Sequence, residues 1–170
     1  GERTELETIT LPKGIKMIPK ECFKGCLRLT AVKPDDWTLA ITNLGSGAFQ
    51  QVPLTGDLRF PNIVTFSAKC LASTQITSID VTGAPVRSVD GFASCSSLTN
   101  FTPLLPPTVT YLGTMSGGKK LKQDLVFRGP TCTLAGGEHI RGAGFTSFDM
   151  SALKTVTMNG TLCFFDCGSM

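Results

Sequence analysis

Apolar residues alternate with small polar ones in a series of short segments: Leu6-x-x-Ile9-x-Leu11, Leu29-x-x-Val32, Leu58-x-Phe60, Ile76-x-x-Ile79-x-Val81, Leu98-x-x-Phe101, Leu125-x-Phe127 and Phe145-x-x-Phe148-x-Met150. Such alternation sends apolar side chains to one face and polar ones to the other, so each segment is predicted to be a short, half-buried β-strand. The central apolar positions are 9, 32, 58, 79, 101, 125 and 148, with the shortest step from 58 to 79 and the longest from 32 to 58. They recur with a period of about 23 residues, inside the range of about 20 to 29 residues typical of leucine-rich repeats. Ile76-Thr77-Ser78-Ile79-Asp80-Val81-Thr82 and Phe145-Thr146-Ser147-Phe148-Asp149-Met150-Ser151, three periods apart, share the pattern position by position. A period held that consistently predicts a solenoid whose units stack and bury one continuous core.

Each predicted strand has a stop after it. Pro12, Pro34, Pro61, Pro103 and Pro130 lie two to five residues beyond the central apolar position, and proline has no amide hydrogen with which to continue a ladder. A second in-register element follows, Phe23-x-x-Cys26, Phe49-x-x-Val52, Phe92-x-x-Cys95 and Phe164-x-x-Cys167, with Cys70, Met115 and His139 in the aromatic slot elsewhere. The return segments are short and rich in Gly and Ser, which predicts turns or 3₁₀ segments on the outer face and little regular helix. The expected fold is therefore a repeat solenoid of leucine-rich-repeat type, with short parallel strands, one per unit, forming a curved sheet. Residues 1–170 are expected to form a single solenoid of about seven strand copies. The next centre would fall just past the last residue, leaving the C-terminal rung without a visible cap and open to self-association.

With the register laid out, the chain resembles the BspA-type leucine-rich repeats of bacterial surface proteins. Leu54-Thr55-Gly56-Asp57-Leu58-Arg59-Phe60-Pro61-Asn62-Ile63-Val64 is similar to that family's strand-and-turn motif, and Asp124-Leu125-Val126-Phe127 repeats it in shorter form. Phe23-Lys24-Gly25-Cys26-Leu27-Arg28-Leu29-Thr30 and Phe92-Ala93-Ser94-Cys95-Ser96-Ser97-Leu98-Thr99 resemble its outer segment. Met115 and His139 depart from the pattern in the aromatic slot, which marks those rungs as degenerate. The resemblance implies a cell-surface or secreted, adhesin-like module.

Composition narrows the reading further. A hydrophobic content of 41% with 17% charged residues excludes intrinsic disorder. No apolar run is long enough to cross a membrane as a helix, and Gly1-Glu2-Arg3-Thr4-Glu5 is too polar to be a signal peptide, so any export signal would lie upstream. The net charge of +3 is too small for a nucleic-acid-binding face. Lysines clustered at Lys119, Lys120 and Lys122, and along Lys13 to Lys33, read as solvated surface. The cysteines at 22, 26, 70, 95, 132, 163 and 167 form no pair of metal-ligating clusters, so no metal site is expected. Seven is an odd number, which favours buried, reduced thiols acting as small hydrophobes.

No catalytic constellation stands out. His139, the only histidine, occupies a slot filled elsewhere by Phe or Cys and reads as a core or rim substitute; a dyad with Cys132 or Cys163 is the least favoured alternative. Asp80 and Asp149 lie three rungs apart, about 14 Å at the usual strand spacing, which is too far for paired acid–base work. Gly45-Ser46-Gly47 and Gly136-Gly137 lack the Lys-Ser/Thr of a phosphate loop, and Asn100-Phe101-Thr102 and Asn159-Gly160-Thr161 match the glycosylation triplet only by its short pattern. No cofactor is implied. Trp37, the only tryptophan, is read as either a partner contact or a lid packed on the solenoid edge.

What remains is the outward face of the strands. Stacking aligns the residues beside each central apolar position into a polar column, and the candidate binding residues are Asp57, Arg59, Ser78, Asp80, Asn100, Thr102, Asp124, Ser147 and Asp149. The expected function is non-enzymatic recognition of a protein, extracellular-matrix or glycan ligand through this ladder, with a spacer or stalk role as the alternative.

Overall fold

The computed structural model describes residues 5–135 and 140–159. All seven predicted strands are present: β1 (Thr8–Thr10), β3 (Ala31–Lys33), β5 (Thr55–Arg59), β7 (Gln75–Asp80), β9 (Asn100–Thr102), β11 (Asp124–Val126) and β13 (Ser147–Asp149). They are parallel wherever they pair, and the central residues come into register, as in Ile9 with Val32, Leu58 with Ile79, Ile79 with Phe101, and Leu125 with Phe148. These strands form the ladder face.

A second set of strands has no counterpart among the predicted elements. β2 (Met17–Ile18), β4 (Asn43–Leu44), β6 (Thr65–Phe66), β8 (Ser88–Val89), β10 (Tyr111–Leu112), β12 (Thr131–Ala135) and β14 (Thr155–Asn159) make one continuous seven-stranded parallel sheet. Most of these strands hold just two residues, one outward and one inward. Their inward column, Ile18, Leu44, Phe66, Val89, Leu112 and Leu134, is buried, whereas Met158, in register on β14, is exposed. The outer side of each unit is thus a sheet followed by a turn, and the one 3₁₀ segment among the described residues, Trp37–Ala40, lies after β3. That segment accounts for the longest step in the series of centres, from position 32 to position 58.

The turns themselves stack. Amides at alternate positions donate to the next rung: Glu21 to Ser46 (2.8 Å), Phe23 to Ala48 (2.9 Å) and Gly25 to Gln50 (2.8 Å), then Gly47 to Ala68 (2.9 Å), Phe49 to Cys70 (2.8 Å) and Gln51 to Ala72 (2.9 Å). Each turn satisfies its backbone by pairing with its neighbour, as buried polar groups must. Gly45 sits where two rungs nearly touch: a Cβ there would lie 2.6 Å from the Lys20 nitrogen and 2.8 Å from the Ile18 oxygen.

Three columns therefore enclose a narrow core filled by aromatic rings. Phe23 stacks on Phe49 at 5.2 Å, Trp37 meets Phe49 and Phe60, and Phe66 touches Phe60, Phe92 and Phe101 at 5.4, 5.0 and 6.2 Å. Trp37 is buried, as the packed reading of that residue required.

The ladder face, unlike the second sheet, is not continuous. It divides into β1-β3, β5-β7-β9 and β11-β13. Within each piece the residue two beyond the central one donates its amide to the next rung: Leu11 to Lys33 (2.7 Å), Phe60 to Asp80 (2.7 Å), Val81 to Thr102 (2.8 Å) and Phe127 to Asp149 (2.9 Å). At the two interruptions that same position is Pro34 or Pro103. Proline cannot donate, so the ladder opens there. Pro12, Pro61 and Pro130 lie further along and leave the pairing intact, so position, more than presence, decides which prolines break the sheet.

Candidate functional site

The nine ladder residues all face outward and are exposed or half-exposed. Asp57, Arg59, Ser78 and Asp80 come together on β5 and β7, Asn100 and Thr102 follow on β9, and Asp124, Ser147 and Asp149 group on β11 and β13 beyond the second interruption.

Two of the carboxylates are held in the same way on different rungs. Asp57 Oδ1 accepts from the hydroxyls of Ser78 (2.6 Å) and Thr77 (2.7 Å), and Asp124 Oδ1 accepts from those of Ser147 (2.6 Å) and Thr146 (2.7 Å). Those hydroxyls stabilise the ionised form and hold both carboxyls below the usual aspartate range. Thr77 and Thr146 lie outside the sequence-predicted set, although the matching Thr-Ser pairs three repeats apart carry the signal.

Asp80 and Asp149 cap the turns that follow their own strands. Asp80 Oδ1 accepts the Thr82 amide and Asp149 Oδ1 the Ser151 amide, each at 2.8 Å, and these bonds lower both pKa values. Arg59 approaches the other Asp80 oxygen at 3.4 Å. Among the described residues, one oxygen each of Asp57, Asp124 and Asp149 has no protein partner and faces solvent on a fixed carboxyl.

Gln123, also outside the predicted set, bridges the second interruption. Its side-chain oxygen accepts the Phe101 amide at 2.8 Å and its nitrogen donates to Asn100 Oδ1 at 3.1 Å, while Thr102 donates to the same Asn100 oxygen at 2.9 Å. A side chain thus replaces backbone pairing where Pro103 prevents it. Around the bridge a groove opens, lined by Thr102, Pro103, Lys122, Gln123, Asp124 and Arg128 among others.

The cysteine alternative finds no support in the described residues. Cys132 is buried, and burial pushes its thiol up to about 11, away from the thiolate a nucleophile needs. Cys26, Cys70 and Cys95 are also buried free thiols, whereas Cys22 is exposed, contrary to the expectation of uniformly buried cysteines. His139, Cys163 and Cys167 lie outside the described residues, as does part of the Asn159-Gly160-Thr161 triplet. Among the described residues no cluster of three metal-ligating side chains occurs, and no helix is long and apolar enough to cross a membrane.

Residues 2–116 match the family model for the BspA type leucine rich repeat region, in six copies. No curated protein and no solved structure is significantly similar to the chain. The match covers well over half of the sequence, and beyond it β11 and β13 carry the same register as far as Asp149. The chain belongs to the BspA-type leucine-rich repeat family.

Proposed function

We propose that this chain is a non-enzymatic recognition module of a bacterial cell-surface or secreted protein, and that it binds a protein or glycan ligand through the ladder face. The family supports a surface repeat module. The observation that carries the ladder is the set of carboxyls fixed by their own neighbours, with one oxygen of Asp57, Asp124 and Asp149 directed to solvent. A side chain already ordered in the free protein loses little entropy when a ligand donates to it, so a row of such acceptors favours hydroxyl or amide donors presented in series. Residues 1–170 are taken as one solenoid in this reading, with the ladder as its functional side.

The test is a binding screen of the folded chain against immobilised matrix proteins and a glycan array. A variant carrying Asp80→Ala, Asn100→Ala and Asp149→Ala is run beside it, with Thr65→Ala and Thr133→Ala on the second sheet as the control. A saturable signal lost in the ladder variant and kept in the control supports the proposal. Loss in the control alone moves recognition to the other sheet, and no signal from the folded chain favours a spacer role.

A further inference from the structure

The second interruption of the ladder differs from the first in what fills it. After Pro34 the chain inserts the 3₁₀ segment Trp37–Ala40, whose tryptophan is packed into the core. After Pro103 no 3₁₀ segment follows, and the Gln123 side chain spans the gap by hydrogen bonds to Phe101 and Asn100.

Two features point to a ligand, one on the strand residue beside the groove and one on its wall. The first is an under-satisfied backbone acceptor. By the register that holds elsewhere, the amide at position 103 would donate to the Val126 carbonyl, and a proline stands there instead. Arg128 reaches that carbonyl only at 3.4 Å, a long contact for a charge-assisted bond. The second is charge. Three cations on earlier rungs are paired: Arg28 with Glu5 and Glu7, Lys33 with Asp35, Arg59 with Asp80. Lys122 and Arg128, both on the groove wall, have no carboxylate within ion-pair distance among the described residues. The one acidic lining residue, Asp124, turns an oxygen toward Thr146 and Ser147.

We propose that this groove binds an acidic residue of an extended peptide segment in a protein partner. Its backbone amide donates to the Val126 carbonyl in place of the missing amide at 103, and its carboxylate sits between Lys122 and Arg128, freeing the guanidinium from its long contact. A peptide supplies the amide donor and the carboxylate from one residue, which is why a peptide fits the pair of features better than a carboxylated sugar does. This inference rests on the ladder side being the recognition surface and adds to it the position and the charge of the ligand.

The experiment titrates acetylated hexaglutamate, hexaglutamine and an oligogalacturonate into the whole chain at low salt. The variants are Lys122→Gln with Arg128→Gln, and, as a control of equal charge, Lys119→Gln with Lys120→Gln. Both doubles alter exposed side chains and are expected to keep the far-UV spectrum; Arg128→Lys, which keeps the charge but loses the fork, is the milder second variant. The groove double is expected to weaken hexaglutamate about tenfold, as losing two partly exposed charge pairs would, with the control double within about twofold and Arg128→Lys between them. Equal losses in the two doubles would show non-specific attraction and overturn the proposal. So would absence of hexaglutamate binding, or binding of oligogalacturonate without hexaglutamate. If a partner found through the ladder is lost in the Asp80, Asn100 and Asp149 variant but kept in the groove double, the ladder reading stands and the groove assignment alone falls.

Discussion

Phe66 is the side chain on which the three columns of the solenoid converge, and replacing it with alanine measures how far they depend on one another. Its ring is fully buried on β6 and meets Phe60, Phe92 and Phe101, which come from the ladder side and from the turn column. Removing a fully buried phenylalanine costs about 3–5 kcal/mol once the cavity is counted, and three ring contacts place Phe66 in the middle or upper part of that range. In a chain of this length each kcal/mol lowers Tm by about 2–4 °C, so Phe66→Ala is expected to lower it by about 8–20 °C. Phe23, by contrast, is half-buried and stacks on Phe49 alone, so Phe23→Ala should cost about 1–2 kcal/mol. Thermal and urea unfolding followed by far-UV circular dichroism and by Trp37 fluorescence would read both variants. Trp37 is connected to Phe66 through Phe60, so the two signals should shift together. A loss for Phe66→Ala no larger than that for Phe23→Ala would refute the idea that one core ties the columns together.

Three further outcomes are expected. Gly45→Ala should lower stability by about 1–3 kcal/mol in urea titrations, because its Cβ would press on backbone atoms of the preceding rung, which cannot rotate away. Stability should fall on the acid side: Asp57, Asp80, Asp124 and Asp149 have folded pKa values below the ordinary one, so their contribution is complete above the unfolded value and is lost as pH drops through the folded one. Tm measured from about pH 5 down to pH 2 should show this, and Asp57→Asn with Asp124→Asn should flatten the slope; an unchanged slope would contradict the hydroxyl-fixed carboxyls. With a thiol reagent under native conditions, Cys22 should react first among the described cysteines, while Cys26, Cys70, Cys95 and Cys132 react only after unfolding, and fast labelling of Cys132 would reopen the nucleophile question.

The ladder strands were legible in the sequence because each has an inward apolar residue with polar neighbours on either side, and because the interval between them persists. The family was legible on the same residues. The second sheet was not, since a two-residue strand such as Asn43-Leu44 or Ser88-Val89 is too short for alternation to register. Only stacking makes it a strand, because each pair finds its hydrogen-bond partners on the neighbouring rungs. The candidate ladder residues lie on outward strand positions, yet their chemistry was hidden: that Asp57 and Asp124 are fixed by Thr-Ser pairs depends on which rung lies beside which.

Sequence alone determined the period, the parallel strands, the inward residues and the prolines that could end a ladder, because these follow from local alternation and from a missing amide hydrogen. Tertiary structure decided the rest. Pro34 and Pro103 break the sheet and Pro12, Pro61 and Pro130 do not, since only the first two occupy the register position that must donate to the next rung. The same interruption is sealed by a buried tryptophan turn in one place and left as a groove beside Lys122 and Arg128 in the other, a difference of packing between neighbouring rungs that no single repeat contains.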